Sequence, residues 1–294
     1  MSRIPLPDVT VGIKAFMRQE SLRNTLESLT PFDVHAVVVA DDSGIDSDRR
    51  ALYDEMAEKL PLTVIEPPRD TGVSVGRNRI FDACDSAYLL LLDDDHVVPE
   101  NIGELREILE AHPELGGVSG IWSEWGTYRS GACNLYRLGP YLYRDVGPEP
   151  ETAATPRGGT LHYYDSIPLS TLFRAEALKD VRWDESFKIG KAHLDFFLQH
   201  KVLGKWRFAI TPSVVIGHYP ATGTTVPKDR RPDTGYIRMR RGSDRLRRSQ
   251  DHLNRKWGVR GAFTGCTHIS TDNRGWKLFK HYALRPIVRL KPGL

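Results

Sequence analysis

Four short β-rich runs, each ending in a polar cluster and followed by helical periodicity, fill the first 110 residues, and this alternation narrows the folds open to the chain. Val9 to Phe16 has strand character and precedes Leu22, Leu26 and Leu29 at helical spacing. Val34 to Ala40 is the second run, with Leu52, Met56 and Leu60 after it. Leu62 to Ile65 is the third, followed by a Pro67-Pro68 break and a helical stretch from Gly72 to Ala83. Ala87 to Leu92, apolar on both faces, leads into Ile102, Leu105, Ile108 and Leu109. Period 2 giving way repeatedly to period 3.6 predicts βα units, and a strand apolar on both faces belongs in the middle of a parallel sheet. The expected fold is α/β: an open, mixed, mostly parallel sheet flanked by helices.

Such sheets bind ligands beyond the carboxyl ends of their strands. The residues placed there are Arg18-Gln19-Glu20, Asp41-Asp42-Ser43-Gly44, Arg69-Asp70-Thr71-Gly72 and Asp93-Asp94-Asp95-His96, which should meet at one rim. Three consecutive acids at the exit of an apolar strand repel one another unless a cation is present. Carboxylate oxygens suit Mg²⁺ or Mn²⁺, ions usually shared with substrate phosphates. A single acid there could instead cap the next helix. The Asp41-Asp42 pair can accept hydrogen bonds from a ribose or a base, or simply form a strand-to-helix turn. Gly72-Val73-Ser74-Val75-Gly76-Arg77-Asn78 fits neither the dinucleotide fingerprint nor the P-loop spacing. It reads as a helix N-terminus whose amides favour an anion, with Arg77 able to bond a diphosphate or a sugar hydroxyl.

Later in the chain, His193-Leu194-Asp195-Phe196-Phe197 sets two titratable groups among bulky apolar ones, which can lift a carboxylate toward the range of a general base. Asp195 is that candidate, and a helix-terminal acid is its plainer reading. His218 closes a β-rich run and is either a metal ligand or a structural histidine. Residues 126–165, rich in Gly, Pro and Tyr, are expected to form an irregular insertion, and Trp206 to Ile216 a strand pair broken at Pro212.

With 40% hydrophobic residues and a net charge of +3, the chain is not disordered. Its longest apolar run, Ala87 to Leu92, is far short of the ~20 residues that span a bilayer. The N-terminus lacks the apolar stretch of a secretory signal. Cys84, Cys133 and Cys266 are odd in number and far apart, against a disulfide framework or a thiolate zinc site. A reducing, cytoplasmic setting is expected. Residues 221–294 hold 18 Lys+Arg against 5 Asp+Glu, whereas residues 1–220 carry a net −10. A basic C-terminal extension on an acidic body should face phosphates, an acidic lipid surface or the body itself. Trp276-Lys277-Leu278-Phe279-Lys280-His281-Tyr282 mixes aromatic and basic residues as an interfacial helix would, and this raises peripheral contact with a membrane. No recognition motif accompanies the charge, so nucleic acid is not an expected partner. The break in charge near residue 220 divides the sequence into a body over 1–220, with halves over 8–125 and 126–220, and a lid or extension over 221–294. Ala221 to Pro232 is the loop expected to order over a ligand.

The ordered set of strand, Asp-Asp-Ser, Gly-x-x-x-Gly-Arg-Asn, Asp-x-Asp, late acidic helix and terminal His resembles the GT-A fold of nucleotide-sugar-dependent glycosyltransferases, family 2. Lys14-Ala15-Phe16-Met17-Arg18, Val38 to Ser43, Gly76-Arg77-Asn78 with Tyr88 to Asp95, and Ala192 to Phe197 are similar more narrowly to β1,4-N-acetylgalactosaminyltransferases. The likeness covers about residues 8–220, and Asp251 to Gly258 looks like a closing segment of that family. It implies that Asp93 and Asp95 flank a metal-bound diphosphate, with Asp94 between them and His218 as a further metal ligand. Asp41 and Asp42 would contact the nucleoside and Arg77 the donor, with Lys14, Phe16, Arg18, Gly72 and Asn78 completing the nucleotide-sugar side. Asp195 would take the acceptor proton, with His193 beside it. Trp122, Glu124 and Trp125, together with Tyr128, are candidates for the acceptor. The implied reaction is an inverting, Mn²⁺- or Mg²⁺-dependent transfer from a UDP-sugar to a hydroxyl of a glycan or other acceptor. GalNAc is suggested by likeness, with Gal, GlcNAc and Glc open. Departures from the pattern are Ala15 in place of Thr, Asp195 in place of Glu, and His193 where a Glu-Asp pair carries its Asp. The rival readings are a nucleotidyltransferase, which also uses paired acids and a divalent ion, and a non-catalytic module using the basic tail on anionic lipid or nucleic acid.

Overall fold

The computed structural model describes residues 3–220 and 242–290, so the loop Ala221 to Pro232 lies outside the described residues. β1 (Ile4–Ala15), β2 (Phe32–Asp41), β3 (Leu62–Ile65) and β4 (Tyr88–Asp93) lie side by side in the order β3-β2-β1-β4, all parallel. Alternation along these strands divides the core between two faces. Leu90 and Leu92 of β4 join Leu22 and Leu26 of α1 (Gln19–Glu27) and Leu52 and Met56 of α2 (Ser47–Ala57). Leu89 and Leu91 join Ile80 and Phe81 of α3 (Val73–Asp82) on the other face. Each buried leucine contributes about 1.5–3 kcal/mol, which is why this half of the sequence is so strongly patterned.

Beyond β4 the sheet becomes mixed. β12 (Thr171–Arg174) runs antiparallel to both β4 and β6 (Leu115–Glu124), while β13 (Arg207–His218) runs parallel to β6. β11 (Thr160–Tyr163) and β10 (Thr152–Ala154) continue the sheet, and the short β5 (His96–Val97) and β7 (Thr127–Arg129) pair with β13 and β6. α4 (Glu104–Ala111) buries Leu105, Ile108 and Leu109 below the sheet, and α5 (Ala175–Asp180) follows β12. α6 (Ala192–Leu203) ends at Gly204, whose φ of 68° suits a glycine.

Two expectations are corrected. Residues 126–165 are not irregular: besides β7, β10 and β11 they contain β8 (Asn134–Leu138) and β9 (Tyr141–Asp145), a hairpin across Gly139-Pro140. β9 pairs with β14 (Gly261–Thr264), so a second, three-stranded sheet is completed from the far end of the chain. Each strand is too short for its alternation to stand out. β13 is one strand, and Pro212 falls where its register slips between Ile210 and Val215, a bulge being one of the few places a sheet tolerates proline.

The C-terminal segment forms α7 (Ser243–Trp257) and α8 (Trp276–Leu290). α8 packs Leu284 and Val288 on Tyr136, Tyr143 and Phe263. Among the described residues no helix is long and apolar enough to cross a membrane.

Candidate active site

The parallel register sets the site. Lys14 of β1 stands opposite Asp93 of β4, and Ala15 opposite Asp41 of β2, so the strand exits meet at one edge. There a cavity of about 200 Å³ is lined by Lys14, Phe16, Arg18, Asp42, Gly72, Arg77, Asp93 and Asp94 from the N-terminal half, all named from the sequence. His193, Ala192 and Leu169 close it from the other side.

Its polar groups are tied to one another. Lys14 Nζ donates to Asp42 Oδ1 at 2.5 Å, and Asp42 also accepts from the Gly72 amide at 2.8 Å. A Cβ on Gly72 would stand 2.6 Å from the Lys188 backbone, and one on Gly76 2.2 Å from Cδ of Lys14, so both glycines make room for the lysines that pass them. Arg77 donates to Asp93 Oδ1 at 3.0 Å, and the Phe16 amide to Asp94 Oδ2 at 2.9 Å. Arg18 bridges Asp94 and Asp95. Burial, reinforced by the charge of Asp95, raises the Asp94 carboxyl despite Arg18. Burial pushes Asp95 the same way, but Arg18, His218 and His96 overcome it and hold Asp95 below the usual range.

Beside this cavity Asp95, His96 and His218 bring ligand atoms within 4.8 Å of one another. Asp95 Oδ1 and His96 Nε2 are buried and have no hydrogen-bond partner among the described residues. A buried carboxylate oxygen left without a donor fits a divalent cation. Asp93 lines the cavity on the Arg77 side and is absent from this cluster.

The remaining sequence candidates stand elsewhere. Asp41 accepts from Arg49 Nε at 2.7 Å, Tyr53 OH at 2.5 Å and Ser43 N at 3.0 Å beneath α2, away from the cavity. Asn78 spans from α3 to the Trp183 carbonyl and Glu185, both at 2.9 Å. Asp195 is 0% exposed and accepts from Gln199, Lys256 and Trp257 at 2.8–2.9 Å, so it does not reach the cavity two residues from His193. The cause is helical: residues two apart on α6 point about 200° apart. Burial raises the Asp195 carboxyl, with Lys256 and Trp257 opposing. Burial, with Arg144 and Arg77 nearby, lowers His193 to about 3, leaving its imidazole neutral. Trp122 lies 4.5 Å from the His218 ring and donates to Ser170 Oγ at 2.7 Å. Glu124 meets His218, and Trp125 packs edge-on against Tyr219 at 5.2 Å.

Lys188, Lys191 and Arg245 also line the cavity, and no motif pointed to them. Arg245 reaches the rim from α7 and grips Asp70 with two bonds, at 2.7 and 2.9 Å. The excess of arginine in the tail was the one available signal.

A family model described as glycosyl transferase family 2 matches residues 10–181. A beta-1,4 N-acetylgalactosaminyltransferase 1 of Mus musculus is 28% identical over 225 residues, which are 71% of this chain and 38% of that protein. The chain thus spans well under half the length of that relative. Among solved structures, GalNAc-T7 with UDP, GalNAc and Mn²⁺ has a TM-score of 0.53 at 14% identity, over 75% of this chain and 46% of that one. S. aureus TarS 1–349 in complex with UDP-GlcNAc has a TM-score of 0.52 at 14% identity, over 85% and 73%. These two likenesses speak to the fold, which is that of GT-A glycosyltransferases.

Proposed function

The chain belongs to glycosyl transferase family 2, and we propose that it moves a hexose or N-acetylhexosamine from a UDP-sugar to a hydroxyl of a glycan or glycoconjugate, inverting the anomeric carbon. The observation that carries this reading is one rim on which an arginine-lined cavity adjoins a buried carboxylate–histidine cluster. The first suits a diphosphate and the second the cation that diphosphates share.

In this reading Asp42 and Lys14 form the nucleoside end of the cavity, while Arg77 and Arg18 face the diphosphate. As the acceptor oxygen attacks, the bond from the anomeric carbon to the β-phosphate oxygen breaks, and Arg77 stabilises charge that grows on the departing UDP. Asp95 and His218 would hold Mn²⁺ or Mg²⁺, whose charge would further stabilise that leaving group. His193 faces the cavity and takes the acceptor proton in this reading, its basicity recovering once the bound diphosphate offsets Arg77, one of the charges that lower it. Asp195, bonded to Lys256 and Trp257, positions α6 against α7.

The expected partners are the nucleotide-sugar, the acceptor and an anionic membrane surface. The membrane reading rests on α8, whose outward face carries Trp276, Phe279, Tyr282 and Ile287 exposed, with Arg285 and Arg289 lining a shallow surface pocket beside Tyr282. Basic residues flanking an aromatic stripe suit lipid headgroups.

Nucleotide release from UDP-GalNAc, UDP-Gal, UDP-GlcNAc and UDP-Glc, with Mn²⁺ and with EDTA, tests the activity. One donor should give metal-dependent UDP release in the presence of a glycan acceptor. Release of pyrophosphate from a nucleoside triphosphate, with every UDP-sugar left intact, would overturn the reading in favour of nucleotidyl transfer.

A further inference from the structure

Two histidines meet at the cation cluster, and their outer nitrogens are held by opposite kinds of partner. His218 ends β13 opposite His96 of β5, their ring centroids 4.8 Å apart. His218 Nδ1 lies 2.7 Å from Oε1 of Glu124, a carboxylate 0% exposed at the end of β6. Arg129 lies 3.4 Å from the other oxygen, Oε2, which favours the ionised, accepting form. An ionised carboxylate can only accept, so Nδ1 of His218 carries the proton. Nε2, 3.7 Å from Asp95 Oδ2, is left with its lone pair.

His96 is the reverse. Its Nδ1 accepts from the Asp93 backbone amide at 2.9 Å. An amide can only donate, so the ring proton sits on Nε2, the atom buried without a partner among the described residues. A nitrogen that carries a proton cannot bind a metal.

We propose that Glu124 and the Asp93 amide sort these histidines, so that His218 with Asp95 ligates the divalent cation while His96 stays a hydrogen-bond donor beside it. Glu124 is then a positioning residue for the metal, in place of the acceptor contact expected from the sequence. A carboxylate behind a ligating imidazole fixes its tautomer and raises its basicity, and losing such a partner typically costs 10–100-fold in metal affinity. This inference rests on the metal-dependent reading of the site.

The test is Mn²⁺ binding to the full chain, followed by the loss of the free-ion electron paramagnetic resonance signal, with pulsed measurements of nitrogen coupling and with melting temperature as a check on folding. Wild type should bind Mn²⁺ with one coupled nitrogen. Glu124→Ala should weaken binding by about 10–100-fold. Glu124→Gln keeps an oxygen for Nδ1–H and the volume of the buried side chain, and should lose less. His96→Gln, which keeps a donor, should bind with an affinity within about threefold of wild type, because no ligand is removed. Two coupled nitrogens in wild type, unchanged affinity in both folded Glu124 variants, or a tenfold loss in His96→Gln would each overturn the sorting. Absence of any Mn²⁺ binding by wild type, with or without UDP, would instead remove the metal reading and this inference with it.

Discussion

His193 and Asp195 are two residues apart, yet one lines the cavity and the other lies wholly beneath α7. The sequence placed a titratable pair among aromatics, which was enough to locate the helix. It could not tell which member faces the ligand, because that depends on the rotation of α6 and on Lys256 and Trp257, about 60 positions later. A similar limit applied to Glu124, whose contact with His218 joins residues 94 apart. His193→Ala should therefore lower kcat by about 10²–10⁴-fold, with calorimetric UDP affinity nearly unchanged. Asp195→Asn removes a buried acceptor charge and should cost about 1–3 kcal/mol of stability, with kcat of the folded protein falling less than tenfold. A loss of 10²-fold or more in Asp195→Asn at an unchanged melting temperature would return the base to Asp195.

Among the elements, β1, β2 and β4 were legible because burial on both sides leaves continuous apolar runs, and the structure extends the first two by a few residues. β8 and β9 were not, since their partner β14 lies more than 110 residues on and the whole sheet exists only when the chain closes. α8 was legible as mixed aromatic and basic, but which residues face outward depends on the second sheet. The structure turns Leu284 and Val288 inward and leaves Trp276 75% and Phe279 60% exposed. One side of the helix thus docks on the second sheet and the other stays exposed. The protein should sediment with phosphatidylcholine vesicles only when phosphatidylglycerol is included, each basic residue at the surface contributing about 1 kcal/mol. The double substitution Trp276→Ser, Phe279→Ser should abolish sedimentation without changing the melting temperature, because exposed positions carry little stability. Equal sedimentation of variant and wild type would dismiss lipid as the occupant of that face.

At the scale of the molecule, the acidic body and basic tail read from composition are partners. Asp70 takes Arg245, Asp184 takes His252 and Lys256, Asp195 takes Lys256, and Glu149 takes Arg289. These pairs suit neutral pH, and so do the buried imidazoles. Burial lowers His96, His200 and His268 to about 4 and His193 to about 3, against about 6.5 in an unfolded chain. Above that value neither state binds the proton, and folding keeps its full stability. As pH falls from 6.5 toward 4 the unfolded chain takes up protons that the folded core refuses, so stability declines by about 1.4 kcal/mol per pH unit for each fully buried ring. Carboxylates held low, such as Asp41 and Asp95, add their losses only below about pH 4. The decline between pH 6.5 and 4.5 thus belongs to the histidines, offset in part by Asp94 and Asp195, whose raised carboxyls take up protons in the folded state, and melting temperatures measured without metal should fall across that window. His200 has neither ring nitrogen bonded among the described residues and packs edge-on against Phe196 and Phe208. His200→Leu should make the decline shallower while leaving the melting temperature at pH 8 nearly unchanged. A flat profile between pH 7 and 5 in wild type, or identical slopes in the two proteins, would mean that these rings are not kept neutral by the fold.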